Sequence, residues 1–286
     1  MTSETNPPEI FDRQRRRALR ERASRRQGDQ FLWTHIAQDL GERLTFVTRA
    51  FEHALIIGPI ADWQKDILPA DMHCTHMPLI SLGGAEDTQN GCEEDRLPFA
   101  PASFDLVISA GTLDSVNDLP GALIQIRRIL KPDGLFLGHM FGAGTLATLK
   151  SMFLESDADQ VRPHMHPQID LRSAADLIVR AGFALPVADQ DVTEVRYSNW
   201  RGIVSDVRDA GIGNALAGPR AYLGKNAINR LDRIFAARAD AHGKVPEYFT
   251  HLFLSGWAPS ENQRRPAKRG SAQVSLADIL SKNPED

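Results

Sequence analysis

The stretch FDLVIS, Phe104 to Ser109, decides the fold, because a loop, an amphipathic segment, a turn and a second apolar run follow it in order. FDLVIS is short and apolar, as a strand covered on both faces must be. Leu119 to Leu130 (LPGALIQIRRIL) has apolar residues at helical spacing, with Asp118 placed as N-cap and Pro120 in the first turn, where its missing N–H costs nothing. Lys131 to Gly134 (KPDG) reads as a turn and Leu135 to Met140 (LFLGHM) as the next strand. Strand, helix, turn and strand in this order build a parallel sheet through right-handed crossovers.

Toward the N-terminus, Ala54 to Gly58 (ALIIG) reads as a central strand ending at a strand-to-helix turn, and Met72 to Met77 as a second strand. Ile36, Leu40, Leu44, Val47 and Phe51 form one apolar stripe, which predicts a helix over about Asp29 to Ala50. Toward the C-terminus the pattern predicts helices from Thr145 and over Ser173 to Ala181, then extended segments at Phe183 to Val187 and Val192 to Tyr197. Helical stretches at Trp200 to Asp209 and Arg220 to Ala239 precede a last strand, Tyr248 to Trp257, antiparallel near one edge. The expectation is an α/β, Rossmann-like fold: a mostly parallel, seven-stranded sheet with helices on both faces. Ala54 to Gly58 should lie between the second strand and FDLVIS. The chain divides into a basic arm over 1–28, a core domain over 29–258 with a helical insertion near 199–240, and a strap over 259–286.

A chain of 286 residues can bury a sizeable core without disulfides. Cys74 and Cys92 have no paired spacing and read as reduced thiols, which suggests a cytoplasmic protein. No apolar run approaches the roughly 18 residues of a membrane span, and the first residues do not have the order of a signal peptide. The net charge of −4 offers no general reason to expect nucleic acid as a partner. Arg13 to Arg26 nevertheless carries eight arginines against one glutamate; such a run can act as a local anion-binding arm, nucleic acid foremost, but more commonly forms a solvated helix face or a disordered leader.

The order FDLVIS, helix, LKPDG and LFLGHM resembles the middle of a class I S-adenosylmethionine-dependent methyltransferase. More specific segments are IFDR at Ile10 to Arg13, LPFAPASFDLVIS at Leu97 to Ser109, VNDLPGAL at Val116 to Leu123, GWAP at Gly256 to Pro259 and GSAQVSLADIL at Gly270 to Leu280. Together they resemble a bacterial branch related to mitochondrial complex I assembly factor 5 and, more distantly, to the biotin-pathway malonyl-carrier methyltransferase. The resemblance implies S-adenosylmethionine as cofactor, held by a glycine loop after strand 1, an acid after strand 2 and a polar or acidic residue before Leu97-Pro98-Phe99. The loop after FDLVIS would face the methyl group.

Several of these elements depart from the family's pattern. Of three loop glycines only Gly58 remains; Ile56 stands at the loop's aspartate, Ile60 where close approach is expected, and Asp62 at the third glycine. A β-branched residue forced to positive φ costs about 1–2 kcal/mol. The second element offers Thr75 and His76 in place of an acid, losing a charge-assisted hydrogen bond of about 1.5–3 kcal/mol. The deficit amounts to roughly two to four orders of magnitude in affinity.

The resemblance places Gly58, Ile60, Thr75, Glu94, Asp95 and Ser109 on the cofactor side, with Glu93 an alternative at the adenine. It places Asn117, Gly142, Thr145 and Tyr197 on the substrate side, and Asp114 as a base near the acceptor, though a capping or solvated aspartate is the commoner role for such a residue. His164, His166 and Asp170 form an H-x-H-x3-D cluster comparable with a two-histidine, one-carboxylate iron site, while histidines in such a polar loop are usually unliganded. Three functions follow: methyl transfer to a protein or small acid, a silent scaffold for an assembly partner such as a respiratory complex, and arginine hydroxylation, which the mitochondrial relative is understood to perform.

Overall fold

The computed structural model describes residues 9–63, 67–69, 72–77, 93–157, 162–261 and 263. Its strands are β1 (His53–Ile57), β2 (His73–Met77), β3 (Phe104–Ala110), β4 (Leu130–Phe141), β5 (Ala184–Tyr197) and β6 (Val245–Trp257), in the sheet order β2-β1-β3-β4-β6-β5. The first four are parallel, and β6 enters antiparallel between β4 and β5. As expected, β1 lies between β2 and β3.

The expected seven strands are six among the described residues. The two extended segments read at 183–187 and 192–197 run as one strand, because β6 pairs with it continuously from Val187↔Ser255 to Tyr197↔Val245. The KPDG turn persists as a bulge inside β4: pairing with β3 jumps from Phe104↔Leu130 to Leu106↔Leu135, and Asp133 takes a φ of 65° in the excluded loop.

Seven helices occur among the described residues: α1 (Arg13–Ser24), α2 (Phe31–Thr45), α3 (Leu119–Ile129), α4 (Ala147–Asp157), α5 (Leu171–Arg180), α6 (Trp200–Asp209) and α7 (Lys225–Arg238). Asp118 caps α3 by accepting from the Gly121 N–H, with Pro120 in the first turn. Side chains alternate across the sheet. Ile56 and Ile108 join Ile36 and Leu40 of α2 in one core cluster, whereas Leu55, Ile57 and Val107 join Leu123 and Ile126 of α3 in the other. Helices therefore cover both faces, as a parallel sheet requires.

The basic arm is not a solvated face. Asp12 caps α1, Phe11 and Arg16 are buried, and Phe11 forms a β-bridge with Leu216. The reason is charge complementarity with Glu93, Glu94 and Asp95, far along the chain. Cys92, residues 83–92 of the acidic loop, and residues 262 and 264–286 of the strap lie outside the described residues. No described helix is long and apolar enough to cross a membrane.

Candidate active site

β1 ends at Gly58, whose φ is +119° and whose absent Cβ would lie 2.4 Å from the Ala110 carbonyl oxygen. β3 ends at Gly111, φ +60°, where a Cβ would lie 2.2 Å from the Trp33 ring. Neither position admits a side chain, so bare backbone lines the crevice at the carboxyl ends of two adjacent parallel strands, where doubly wound sheets bind ligands. A cavity of about 340 Å³ opens there, walled by Arg16, Arg20, Trp33, Pro59 and Trp63. A second cavity of about 320 Å³ adjoins it, with Phe141, Thr145, Leu149 and Phe153 in its wall. Both reach the lower end of the size range of small-molecule sites. They share Leu19, Asp114, His166, Ile212 and Gly213.

Asp114 follows β3 in a short 3₁₀ turn, Leu113–Ser115. Its carboxylate Oδ2 stands 4.0 Å from His166 Nε2, with both side chains nearly enclosed. Burial pushes the Asp114 carboxyl upward, opposed by His166, Arg20 and Arg16. Burial likewise pushes the His166 imidazole down, with Asp114 opposing and Arg16 reinforcing. His166 Nδ1 is buried without a hydrogen-bond partner among the described residues. A carboxylate made more basic by burial and an imidazole biased toward its neutral form thus stand at the junction of two cavities, as proton acceptors do in sites that exclude water.

Arginines of α1 supply the opposite charge. Arg16 donates to both Glu94 oxygens at 2.7 and 2.5 Å, to Glu93 at 3.0 Å, to the Thr112 carbonyl at 2.5 Å and to Ser115 Oγ at 3.0 Å. Burial works against the Arg16 cation, and Glu94 and Glu93 outweigh it. Arg20, one turn further along, approaches Glu94 only to 3.7 Å; burial, reinforced by Arg16, pushes its guanidinium down to about 10, so it stays cationic at neutral pH.

The residues singled out from sequence are only partly gathered. Gly58 lines the first cavity, Thr145 the second and Asp114 both. Ile56 and Ile60 are fully buried in the core beside α2, and the side chain of Asp62 lies outside what is described. Thr75 sits half-buried in β2 opposite Leu55. Glu94 and Asp95 are occupied by Arg16 and Arg13, and Ser109 Oγ pairs with Thr112 Oγ1 at 2.9 Å. Asn117 clamps the Phe11 backbone, its Oδ1 accepting from the N–H and its Nδ2 donating to the carbonyl. Gly142 donates its N–H to Thr250, and the Tyr197 hydroxyl donates to Asp206. His164 bonds Asp157, His166 faces Asp114 and Asp170 caps α5 by accepting from Ser173, so the H-x-H-x3-D residues are not assembled as a ligand set. No group of three metal-ligating side chains occurs among the described residues.

The arginines were missed as site residues. Their signal was present in the spacing, since Arg16 and Arg20 lie four apart on one helix face and a run of three acids, Glu93 to Asp95, stands elsewhere in the chain.

A family model described as a methyltransferase domain matches residues 83–138. The mitochondrial arginine-hydroxylase NDUFAF5 of Danio rerio is 31% identical, over 94% of this chain and 89% of its own. That of Homo sapiens is 30% identical, over 94% and 83%. The malonyl-[acyl-carrier protein] O-methyltransferase of Gallionella capsiferriformans is 31% identical, over 64% of this chain and 62% of its own. With the β2-β1-β3-β4-β6-β5 sheet and its glycine-lined crevice, these matches establish that the chain belongs to the class I S-adenosylmethionine-dependent methyltransferase family, in the branch that contains the NDUFAF5 proteins.

Proposed function

We propose that this protein transfers a methyl group from S-adenosylmethionine to an acceptor held in the adjoining cavity. One observation carries the reading: Asp114 and His166 line both cavities, so a donor above Gly58 and Gly111 and an acceptor beside Thr145 meet at one buried acid and one imidazole. The cofactor supplies an already activated methyl group. The protein's share is binding, orientation and acceptance of the acceptor's proton, for which Asp114 and His166 are placed.

The residues fit one end of such a cofactor. Gly58 and Gly111 leave room for its approach, Arg20 would hold its carboxylate, and Asp114 would face its sulfonium charge. The nucleoside end is served less well, because Glu93 and Glu94 are engaged by α1 arginines. Affinity no better than high micromolar is expected. We place the reaction in the cytoplasm, a reading supported by the free thiol of Cys74.

That same engagement of Glu94 favours a second reading, in which the fold is kept as a scaffold for an assembly partner. Calorimetric titration with S-adenosylmethionine and S-adenosylhomocysteine, together with labelled-methyl transfer into a cell extract, separates the two. Weak binding with transfer supports the enzyme; no binding by either compound overturns it and leaves the scaffold.

A further inference from the structure

The second cavity has a one-sided charge pattern. Its body is apolar, with Phe141, Leu149 and Phe153 buried and Val204, Val207 and Ile212 beside them. Among the described residues four arginines line it, Arg15, Arg22, Arg208 and Arg220, against one carboxylate, Asp114, at the end shared with the first cavity. Asp157 lies outside this lining, with its carboxylate on His164 and on the Arg162 N–H.

Several arginines elsewhere on the surface are closely paired, though exposed Arg180 and Arg233 have no carboxylate partner among the described residues. Arg43 meets Asp189, Arg196 meets Asp240, Arg201 meets Asp232 and Arg238 meets Glu155. What sets the cavity apart is that its arginines converge on one apolar wall. Arg208 and Arg220 are exposed and have no carboxylate partner among the described residues. Among the described residues the Arg22 Nε donates to the Ala18 carbonyl, and the Arg15 guanidinium donates to the carbonyls of Leu216 and Gly218 and makes a long ion pair with Asp12 at 3.9 Å. Guanidinium groups that outnumber the carboxylates beside a low-dielectric cavity focus a positive field on it. Their planar, weakly hydrated forks suit a carboxylate better than an ammonium would.

We propose that this cavity binds an amphipathic anion, an apolar chain or ring ending in a carboxylate. The anionic end lies at Arg208, Arg220 and Arg22, the apolar body lies along Phe141, Leu149 and Phe153, and the opposite end reaches Asp114 and His166. The inference rests on the methyl-transfer reading only for what happens at that inner end. The binding itself is independent of it.

Titration calorimetry of the full chain with decanoate and with decan-1-ol tests the assignment, with no cofactor present. Decanoate should bind one to one and the alcohol roughly tenfold or more weaker. Arg208→Ala combined with Arg220→Ala should weaken decanoate by a similar factor while leaving the alcohol unchanged, and the double lysine variant should retain part of the affinity. Both arginines are exposed, so folding is checked simply by an unchanged melting curve. Equal affinity for acid and alcohol, decanoate binding unaffected by the double alanine variant, more than one decanoate per chain, or no binding would each overturn the proposal. Such a failure leaves methyl transfer to be judged by the cofactor titration alone.

Discussion

Arg16 and Glu94 meet through two parallel hydrogen bonds, Nη1 to Oε2 at 2.7 Å and Nη2 to Oε1 at 2.5 Å, with both side chains buried. A fork-on-carboxylate pair of this kind fixes orientation as well as charge. It locks α1 over the carboxyl end of the sheet and so makes the wall of the first cavity from a segment that looks like a leader.

Breaking that pair should cost more than the pair contributes, because one charge is left buried alone. Glu94→Gln is expected to lower stability by about 3–5 kcal/mol, read from urea unfolding. Deleting residues through Arg26 should likewise lower the melting temperature markedly, the opposite of what a solvated arm would do. An unchanged unfolding midpoint in Glu94→Gln would show that the pair is open in solution.

Restoring the family's loop residues is expected to damage the protein. Ile56 and Ile60 are fully buried in the core beside α2. Ile56→Asp would place an unpaired carboxylate there, and Ile60→Gly would leave a cavity and add backbone freedom. Losses of about 2–5 kcal/mol are expected for removing most of a buried isoleucine. Denaturant titration of each variant checks this; stable variants with tenfold tighter S-adenosylmethionine binding would show that the isoleucines themselves are what weakens the site.

Asp114→Asn preserves shape and removes the proton acceptor. Under the methyl-transfer reading the turnover rate should fall about 10²- to 10⁴-fold. Cofactor affinity should change much less, so the comparison of turnover with calorimetry is what matters. His166→Gln should shift the pH profile of turnover, since burial and Asp114 act on His166 in opposite senses.

Stability should decline in mild acid before the carboxylates titrate. Burial holds the His251 imidazole down to about 4 and pushes His139, bonded to it at 2.9 Å, well below its usual value. A histidine that takes its proton more readily when unfolded contributes full stability above about pH 6.5, and that stability is lost as pH falls toward 4. For His251 the effect approaches about 3 kcal/mol. Urea midpoints at pH 7.5 and 5.0 measure it; His251→Gln should flatten the difference, and an equally steep loss in that variant would assign it to other groups.

The sheet was legible because its signals are local. FDLVIS and LFLGHM are short apolar runs bounded by polar turns, and Asp118 and Pro120 mark a helix start, so β3, α3 and β4 fall close to where the sequence places them. The count of strands was not, because nothing in residues 183–197 announces that β6 pairs with them as one strand. Of the residues that the family resemblance singles out, Gly58, Asp114 and Thr145 line the two cavities. Asn117 reads as a substrate-side residue and proves to clamp Phe11, which depends on a chain segment 106 residues away.

By itself, then, the sequence determined the strands of a doubly wound sheet, most of their helices and the crevice at Gly58, since periodicity and turn chemistry act over a few residues. Tertiary structure alone decided the state of the charges. An arginine run looks the same in sequence whether water or carboxylates receive it. Here Arg16 finds Glu93 77 residues later, Arg20 is left facing a cavity, and Arg208 and Arg220 have no acidic partner among the described residues beside the other. Desolvation is set by the fold, and with it which of these groups are spent on structure and which remain available for a ligand.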